Sequence, residues 1–413
     1  MGVQCASYMP LPLPFHVIAK PSGSLCNLDC TYCYYLEKEK LYSSEKQFMS
    51  SEVLRAYIRQ YISAQPTDVI QFSWQGGEPT LLGIDFFREV VNIQREFGAG
   101  KKIENVLQTN GVLLDDRWGV FLSEHNFLVG ISIDGPRRIH DQYRLDKAGY
   151  PTYERVAKAI TVLKKHSVTF NTLTVVNRHN ASEPLTVYRF LKSIGSEYMQ
   201  FIPLVERKAP IPGSDGLNLV APDFEGDAEV TNWSVEPVQF GSFLCTIFDE
   251  WVRYDVGRVY VQLFEVALEI WYGLGSRLCA FQEDCGRALV IESCGDVYSC
   301  DHFVYPKHKL GNILQQTMAK LASSPKQRAF GATKRDTLPR LCRECDVRFA
   351  CNGECPKHRF SKTSEGEPGL NYLCPAYKRF FHHIDPYMRF MVSELTVGRA
   401  PANVMRMARR NRI

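Results

Sequence analysis

Three cysteines near the start of the chain, Cys26, Cys30 and Cys33, are spaced C-x3-C-x2-C and follow a short apolar run, His16 to Lys20. Three thiolates at this spacing suit a four-iron cluster in which one iron lacks a protein ligand. An open position on a metal is what lets a substrate bind, as at a catalytic zinc. The plainer alternative is a zinc site completed by a distant residue, although zinc motifs favour paired C-x2-C units. A second feature ends another β-rich run, Val69 to Trp74: the turn Gln75-Gly76-Gly77-Glu78-Pro79. Its glycines allow backbone to approach a ligand closely, but alone it would read as an ordinary turn.

A second group of cysteines follows Cys279-x5-Cys285-x14-Cys300 and Cys342-x2-Cys345-x5-Cys351-x3-Cys355-x18-Cys374. Eight cysteines are the number that two fully ligated four-iron clusters need. By spacing alone zinc ribbons stay open, since C-x2-C is a common zinc half-site. Full ligation leaves no iron free, so electron transfer is the natural role of such clusters. The chain has fourteen cysteines in all, and in a reducing compartment metal or cluster ligation is the better reading than disulfides. Cys294 lies among them at a hairpin turn, Cys294-Gly295-Asp296, and is expected not to be a ligand. Cys5 and Cys245 stand apart and read as free thiols, Cys245 buried on a helix.

These groups need elements to position them. From about residue 16 to 204 short β-rich runs alternate with helical patterns, the signature of a parallel sheet built from βα units. The expected strands are His16 to Lys20, Val69 to Trp74, Ile103 to Gln108, Phe127 to Ile133, Thr169 to Val176 and Tyr198 to Leu204. Helices are expected over Ser50 to Ile62, capped by Ser50 or Ser51, and over Thr152 to His166. Each strand ends in polar or Gly-containing sequence, where parallel barrels gather their reactive groups. Six units predict an open, partial (β/α)6 TIM-like barrel in the α/β class. Pro210 to Glu236 reads as a long loop, and Phe240 to Tyr254 as a helix with Phe243, Ile247, Phe248 and Trp251 near one face. From Cys279 to Cys374 only short strands and turns are expected, such as Ala288 to Glu292 and Asp296 to Ser299. Such a segment has little apolar core and depends on bound metal. The division drawn from these patterns is residues 1–235, barrel with its loop; 236–278, a bridging helical segment; 279–385, the cysteine-rich domain; and 386–413, a helical tail.

Composition narrows the partners. The chain has 413 residues, 45% hydrophobic and 23% charged, with a formal net charge of +4. That balance gives no electrostatic case for nucleic acid. The first residues lack a charged n-region and a long apolar h-region, and no segment approaches 18 uninterrupted apolar residues, so the expectation is a cytoplasmic protein without membrane contact.

The C-x3-C-x2-C run after the first strand resembles the signature of the radical S-adenosylmethionine (SAM) superfamily. That resemblance implies that SAM chelates the open iron and is cleaved to a 5′-deoxyadenosyl radical. It further implies that Tyr32 packs near the adenine, and that Gln75, Gly76, Gly77 and Glu78, matching the GGEP motif, meet the methionine amino group. Ser132 and Arg144 look like the ribose and carboxylate contacts; an ordinary strand-end Ser and a surface Arg are the plain alternative. The later cysteines resemble the SPASM extension, which implies one auxiliary cluster on Cys279, Cys285, Cys300 and Cys355 and another on Cys342, Cys345, Cys351 and Cys374, three [4Fe-4S] clusters in total. At the position of Cys294 that family usually carries a small polar residue.

Asp301, after Cys300, the segment Val290 to Asn312, Gln75, the run Ile131 to Pro136 and the closing Asn371-Tyr372-x-Cys374 resemble the anaerobic sulfatase-maturating enzymes. The resemblance covers about His16 to Phe381. It implies oxidation of an active-site Cys or Ser of an unfolded or nascent sulfatase, in a Cys/Ser-x-Pro-x-Arg motif, to Cα-formylglycine, with 5′-deoxyadenosine and methionine as co-products. A reduced flavodoxin or ferredoxin would supply the first electron. Asp301 is the implied base, since a β-carbon radical must lose an electron and the side-chain proton to become a carbonyl. Its plainer role would be a hydrogen bond to the cluster loop; His302 and His308 read as structural or solvated. The nearest rival is a SPASM maturase that forms thioether or carbon–carbon links in a ribosomal peptide. A non-catalytic cluster or zinc protein is the rival from another class, and it leaves the C-x3-C-x2-C and GGEP pair unexplained.

Overall fold

A computed structural model describes residues 13–41, 48–211 and 216–410. Cys5 and the first residues lie outside the described residues, as does part of the loop after Pro210. Six strands, β1 (His16–Lys20), β2 (Val69–Trp74), β3 (Lys102–Thr109), β4 (Leu128–Ser132), β5 (Phe170–Val176) and β6 (Tyr198–Pro203), lie side by side in chain order. Each pair is parallel. Helices return the chain between them, so the expected partial barrel forms with strand ends within two residues of their sequence positions.

Local chemistry accounts for the crossover helices. Helix Ser51–Ala64 starts where the Ser50 side chain accepts the Val53 N–H, and it buries Val53, Leu54, Tyr57, Ile58, Tyr61 and Ile62. That spacing puts one apolar stripe on the sheet. Its Tyr57 ring meets Phe72 and Trp74 of β2 edge-on. Helix Tyr153–Lys165 forms as expected, but Thr152 does not cap it through its side chain. That hydroxyl donates instead to the Arg144 carbonyl at 2.7 Å.

The cysteine-rich segment differs from its expected form. Ala288–Glu292 pairs in parallel with β1, His16 standing opposite Ala288, and the hairpin strand Asp296–Tyr298 and strand Lys309–Asn312 continue outward. The barrel sheet therefore runs on into this segment, and Leu289, Ile291 and Val297 join the main core. Helices are present as well, Met318–Ala322 and Pro325–Asp336, the latter capped by Ser324. The reason is that strand Ala288–Glu292 is apolar on both faces, as a strand inside a sheet must be. Helix Cys374–Thr396 passes residue 385 without a break and packs on helix Pro237–Tyr254 through the Phe240–Tyr377 and Phe248–Phe380 ring pairs. Cys245 is buried on the latter. Among the described residues no helix is long and apolar enough to cross a membrane.

Candidate functional site

A cavity of about 530 Å³ opens at the C-terminal ends of the barrel strands. Cys26, Cys30 and Cys33 form part of its wall, with Tyr32, Gln75, Gly76, Gly77, Ser132 and Arg144 around them. Two turns are stitched together to make this wall: Gly77 N–H donates to the Gly23 carbonyl and Glu78 N–H to the Leu25 carbonyl, each at 2.8 Å. A Cβ on Gly77 would collide with the Leu25 carbonyl, so only glycine allows this approach.

Glu78 follows these glycines and bonds within the protein. Its carboxylate is fully buried and is absent from the cavity wall. Oε1 accepts from Thr80 N–H, the Thr80 hydroxyl and the Thr109 hydroxyl at 3.0, 2.5 and 2.7 Å, and Oε2 accepts the Asn110 N–H at 2.7 Å. It thus ties the end of β2 to the end of β3. Asn110 in turn donates through Nδ2 to Asn27 Oδ1 at 2.7 Å and to Cys26 Sγ at 3.7 Å. Its Oδ1 is occupied by the Val112 N–H, which fixes the orientation of the amide.

Arg144 is buried rather than on the surface: it lines the cavity while Nε and Nη2 donate to Asp134 at 3.0 and 3.2 Å. The Tyr32 hydroxyl donates to the same carboxylate. Ser132 accepts from Gln108 Nε2 at 3.1 Å.

Asp301 is partly exposed and stands beside Tyr34 and His302, which line the cavity. The Tyr34 hydroxyl donates to Asp301 Oδ2 at 2.6 Å, and the Lys20 ammonium pairs with Oδ1. Burial alone would raise this carboxyl, but Lys20, His302 and the hydrogen bonds from Lys20 and Tyr34 outweigh it and hold the group at about 2. Lys20, at the end of β1, also stacks 3.4 Å from the centre of the Tyr35 ring. Lys20, Tyr34, Asp134 and Asn110 were not singled out from sequence. The available signal was position: all four sit at strand ends or beside the first cysteines.

The structure brings the cysteines into three separate neighbourhoods. Burial pushes the thiols of Cys26 and Cys30 up to about 11 and about 12, and Cys33 adds repulsion to both. Cys279 and Cys355 line the same cavity. Cys300 is raised by burial and then by Cys279 and Cys285, and Cys355 by burial and then by charges that include Cys300 and Cys279. Cys342, Cys345, Cys351 and Cys374 line a cavity of their own, about 60 Å³. Cys294 is raised by burial and by Asp296 and Glu292, with no cysteine among its neighbours in charge.

These donor sets suit four-iron clusters. Among the described residues no three Cys, His, Asp or Glu side chains converge as they would on a single ion. Cys26, Cys30 and Cys33 share one cavity wall and Cys342, Cys345, Cys351 and Cys374 another, and sets of cysteine thiolates of this kind hold four-iron clusters.

A six-stranded parallel partial barrel with three cysteines at the first strand end, followed by two sets of four, defines a radical SAM enzyme with a SPASM extension. Residues 21–191 match the family model described as "Radical SAM superfamily", and residues 279–346 match "Iron-sulfur cluster-binding domain". The serine-type anaerobic sulfatase-maturating enzyme of Bacteroides thetaiotaomicron is 47% identical over 405 residues, 98% of this chain and 97% of that protein. The cysteine-type enzyme of Clostridium perfringens is 34% identical over 377 residues, 90% of this chain and 97% of that protein. A solved structure described as native anSMEcpe with bound AdoMet and Cp18Cys peptide superposes with a TM-score of 0.81 at 33% identity, covering 93% of this chain and all of that one. The chain belongs to the anaerobic sulfatase-maturating enzymes.

Proposed function

We propose that this enzyme oxidises a serine side chain of a sulfatase polypeptide to Cα-formylglycine, and accepts cysteine at the same position. The observation that carries the reading is family membership along nearly the whole chain, joined to one cavity lined both by Cys26, Cys30 and Cys33 and by Cys279 and Cys355. Serine is favoured because the serine-type relative shares 47% of its sequence with this chain and the cysteine-type one 34%.

In this reading Cys26, Cys30 and Cys33 hold the cluster that meets SAM. Cys279, Cys285, Cys300 and Cys355 hold the first auxiliary cluster, and Cys342, Cys345, Cys351 and Cys374 the second. Bound SAM and its cluster supply the capacity to take a hydrogen atom from a substrate carbon. Tyr32, Gln75, the Gly76-Gly77 backbone, Ser132 and Arg144 orient SAM, while Glu78 fixes the turn that carries those glycines. The substrate's β-carbon loses one hydrogen atom, its hydroxyl or thiol loses a proton, and one electron departs, which leaves a carbonyl or thiocarbonyl; the thiocarbonyl of a cysteine substrate then takes up water and releases hydrogen sulfide to give the same aldehyde. Asp301, kept as a carboxylate by Lys20 and Tyr34, takes the proton; Cys300 beside it puts the electron's exit at the same place. A reduced flavodoxin or ferredoxin provides the first electron, and the polypeptide is met unfolded, in the cytoplasm, through a Ser/Cys-x-Pro-x-Arg motif.

The test is to incubate the anaerobically reconstituted enzyme with SAM, a reductant and paired peptides carrying Ser-x-Pro-x-Arg or Cys-x-Pro-x-Arg. An aldehyde in the serine peptide, formed at least as fast as in the cysteine peptide and with 5′-deoxyadenosine, is expected. 5′-Deoxyadenosine with both peptides intact would send the assignment to the crosslinking peptide maturases.

A further inference from the structure

Between Cys351 and Cys355 the chain makes an unusual turn: Asn352, Gly353 and Glu354 all have left-handed backbones, with φ of 46°, 70° and 54°. Two of the three carry a Cβ, for which this conformation is unfavourable, so it persists only where the surroundings hold it. Arg359 is what holds it. Its Nε donates to the Gly353 carbonyl at 2.9 Å, and Nη2 donates to the Asn352 and Glu354 carbonyls at 2.7 and 3.2 Å. Nη1 donates to the Lys334 carbonyl at 2.5 Å. One guanidinium thus collects every carbonyl of the turn.

With its carbonyls drawn to Arg359, the turn sets its Gly353 N–H on the side of Cys351. The Asn352 side chain is tied to the Phe281 carbonyl at 2.9 Å, and the Glu354 carboxylate to Asn371 and His358 at 2.7 and 2.9 Å. The clamped turn lies between the two sets: Gly353 lines the small cavity with Cys342, Cys345, Cys351 and Cys374, and Cys355, which ends the turn, lines the large one. The Arg359 charge acts on Cys342 of one set and on Cys285 and Cys355 of the other. Left-handed turns that direct N–H groups at an anion, and buried positive charge beside one, both stabilise it. The potential of an iron–sulfur cluster rises with each.

We propose that Arg359 is a positioning residue for both auxiliary clusters: it clamps the left-handed turn between Cys351 and Cys355 and raises the reduction potentials of the two cysteine-bound centres together. The proposal rests on the reading that these two sets of four cysteines hold clusters. The single electron released as a substrate radical is oxidised would be held by one centre at a time; Arg359 favours the more negative, reduced form of either and itself exchanges neither electron nor proton.

The experiment uses the full chain, reconstituted anaerobically, with Cys26, Cys30 and Cys33 changed to Ala so that only auxiliary signals remain. Iron and sulfide are counted first in Cys355→Ala and Cys374→Ala; each is expected to lose one cluster, and full iron in both would overturn the ligand reading beneath the proposal. Redox titration followed by electron paramagnetic resonance is then run on Arg359→Gln and Arg359→Lys. Both auxiliary potentials are expected to move to more negative values in Arg359→Gln, with Arg359→Lys recovering most of the shift. Unchanged potentials in an Arg359→Gln protein with full iron would overturn the role of Arg359 while leaving the ligand reading intact. Should Arg359→Gln fail to retain its auxiliary clusters, their recovery in Arg359→Lys is the required result, and failure to recover them overturns the role of the charge.

Discussion

Asp134 holds Arg144 through two parallel hydrogen bonds, Nε to Oδ2 at 3.0 Å and Nη2 to Oδ1 at 3.2 Å, both groups buried at the end of β4. The same carboxylate accepts the Val175 N–H at 3.1 Å and the Tyr32 hydroxyl. One acidic residue therefore sets the position of two side chains on the cavity wall. Asp134→Asn keeps the shape but leaves the guanidinium buried without a counter-charge, which costs about 3–5 kcal/mol. Thermal unfolding should show that loss, and equilibrium dialysis should show SAM affinity falling by at least tenfold, about 1.4 kcal/mol. Wild-type affinity in this variant would remove Arg144 from the SAM site.

Glu78 gives a second test. A glutamine there would keep one acceptor oxygen and aim its NH2 at the donors on the other, facing either the Thr80 N–H or the Asn110 N–H. A buried mismatch of this kind costs about 1–3 kcal/mol. Glu78→Gln is expected to lower the melting temperature and weaken SAM binding while full iron is retained. A loss of SAM binding with unchanged stability would instead place the carboxylate on the ligand.

Asp301→Asn separates hydrogen-atom abstraction from proton removal. 5′-Deoxyadenosine should still form while formylglycine falls by about 10² or more, the usual worth of a positioned base. Tyr34→Phe, which removes the hydroxyl donated to Asp301 at 2.6 Å, should lower product by a smaller factor. Equal loss of both products in Asp301→Asn would make the residue a structural support of the cluster loop.

His140 gives a pH dependence. It is fully buried, its Nε2 is 3.0 Å from the Thr152 hydroxyl, and burial, followed by the Arg144 charge, holds it down at about 4. The folded protein keeps this imidazole neutral, whereas the unfolded chain takes up a proton below about pH 6.5. Its contribution is complete above pH 6.5 and is lost as pH falls toward 4, on the order of 3 kcal/mol. Denaturation midpoints measured between pH 7.5 and 4.5 should fall less steeply in His140→Gln than in the parent.

Much of the barrel was legible because a parallel strand and its amphipathic helix each leave a distinct period, and Val69–Trp74 or Ser51–Ala64 show both without interference. The two cysteine sets were legible because spacing constrains ligands. What stayed hidden depends on residues distant in sequence. The pairing of Ala288–Glu292 with His16–Lys20 joins segments about 270 residues apart, and neither strand announces its partner. Likewise Lys20 meets Asp301 and Glu78 meets Asn110 only once the strand ends converge. Glu78 reads as a ligand contact in a motif, yet its acceptor positions are filled from its own turn and from β3.

The central claim is that a hydrogen atom leaves the β-carbon of a serine and ends in 5′-deoxyadenosine. The most direct measurement uses a Ser-x-Pro-x-Arg peptide deuterated at both β positions, incubated with SAM, reductant and the reconstituted enzyme, with both products read by mass. One deuterium in 5′-deoxyadenosine and one retained on the peptide aldehyde is the predicted result. Unlabelled 5′-deoxyadenosine beside a formylglycine product would contradict it, because the hydrogen would then have left by another route.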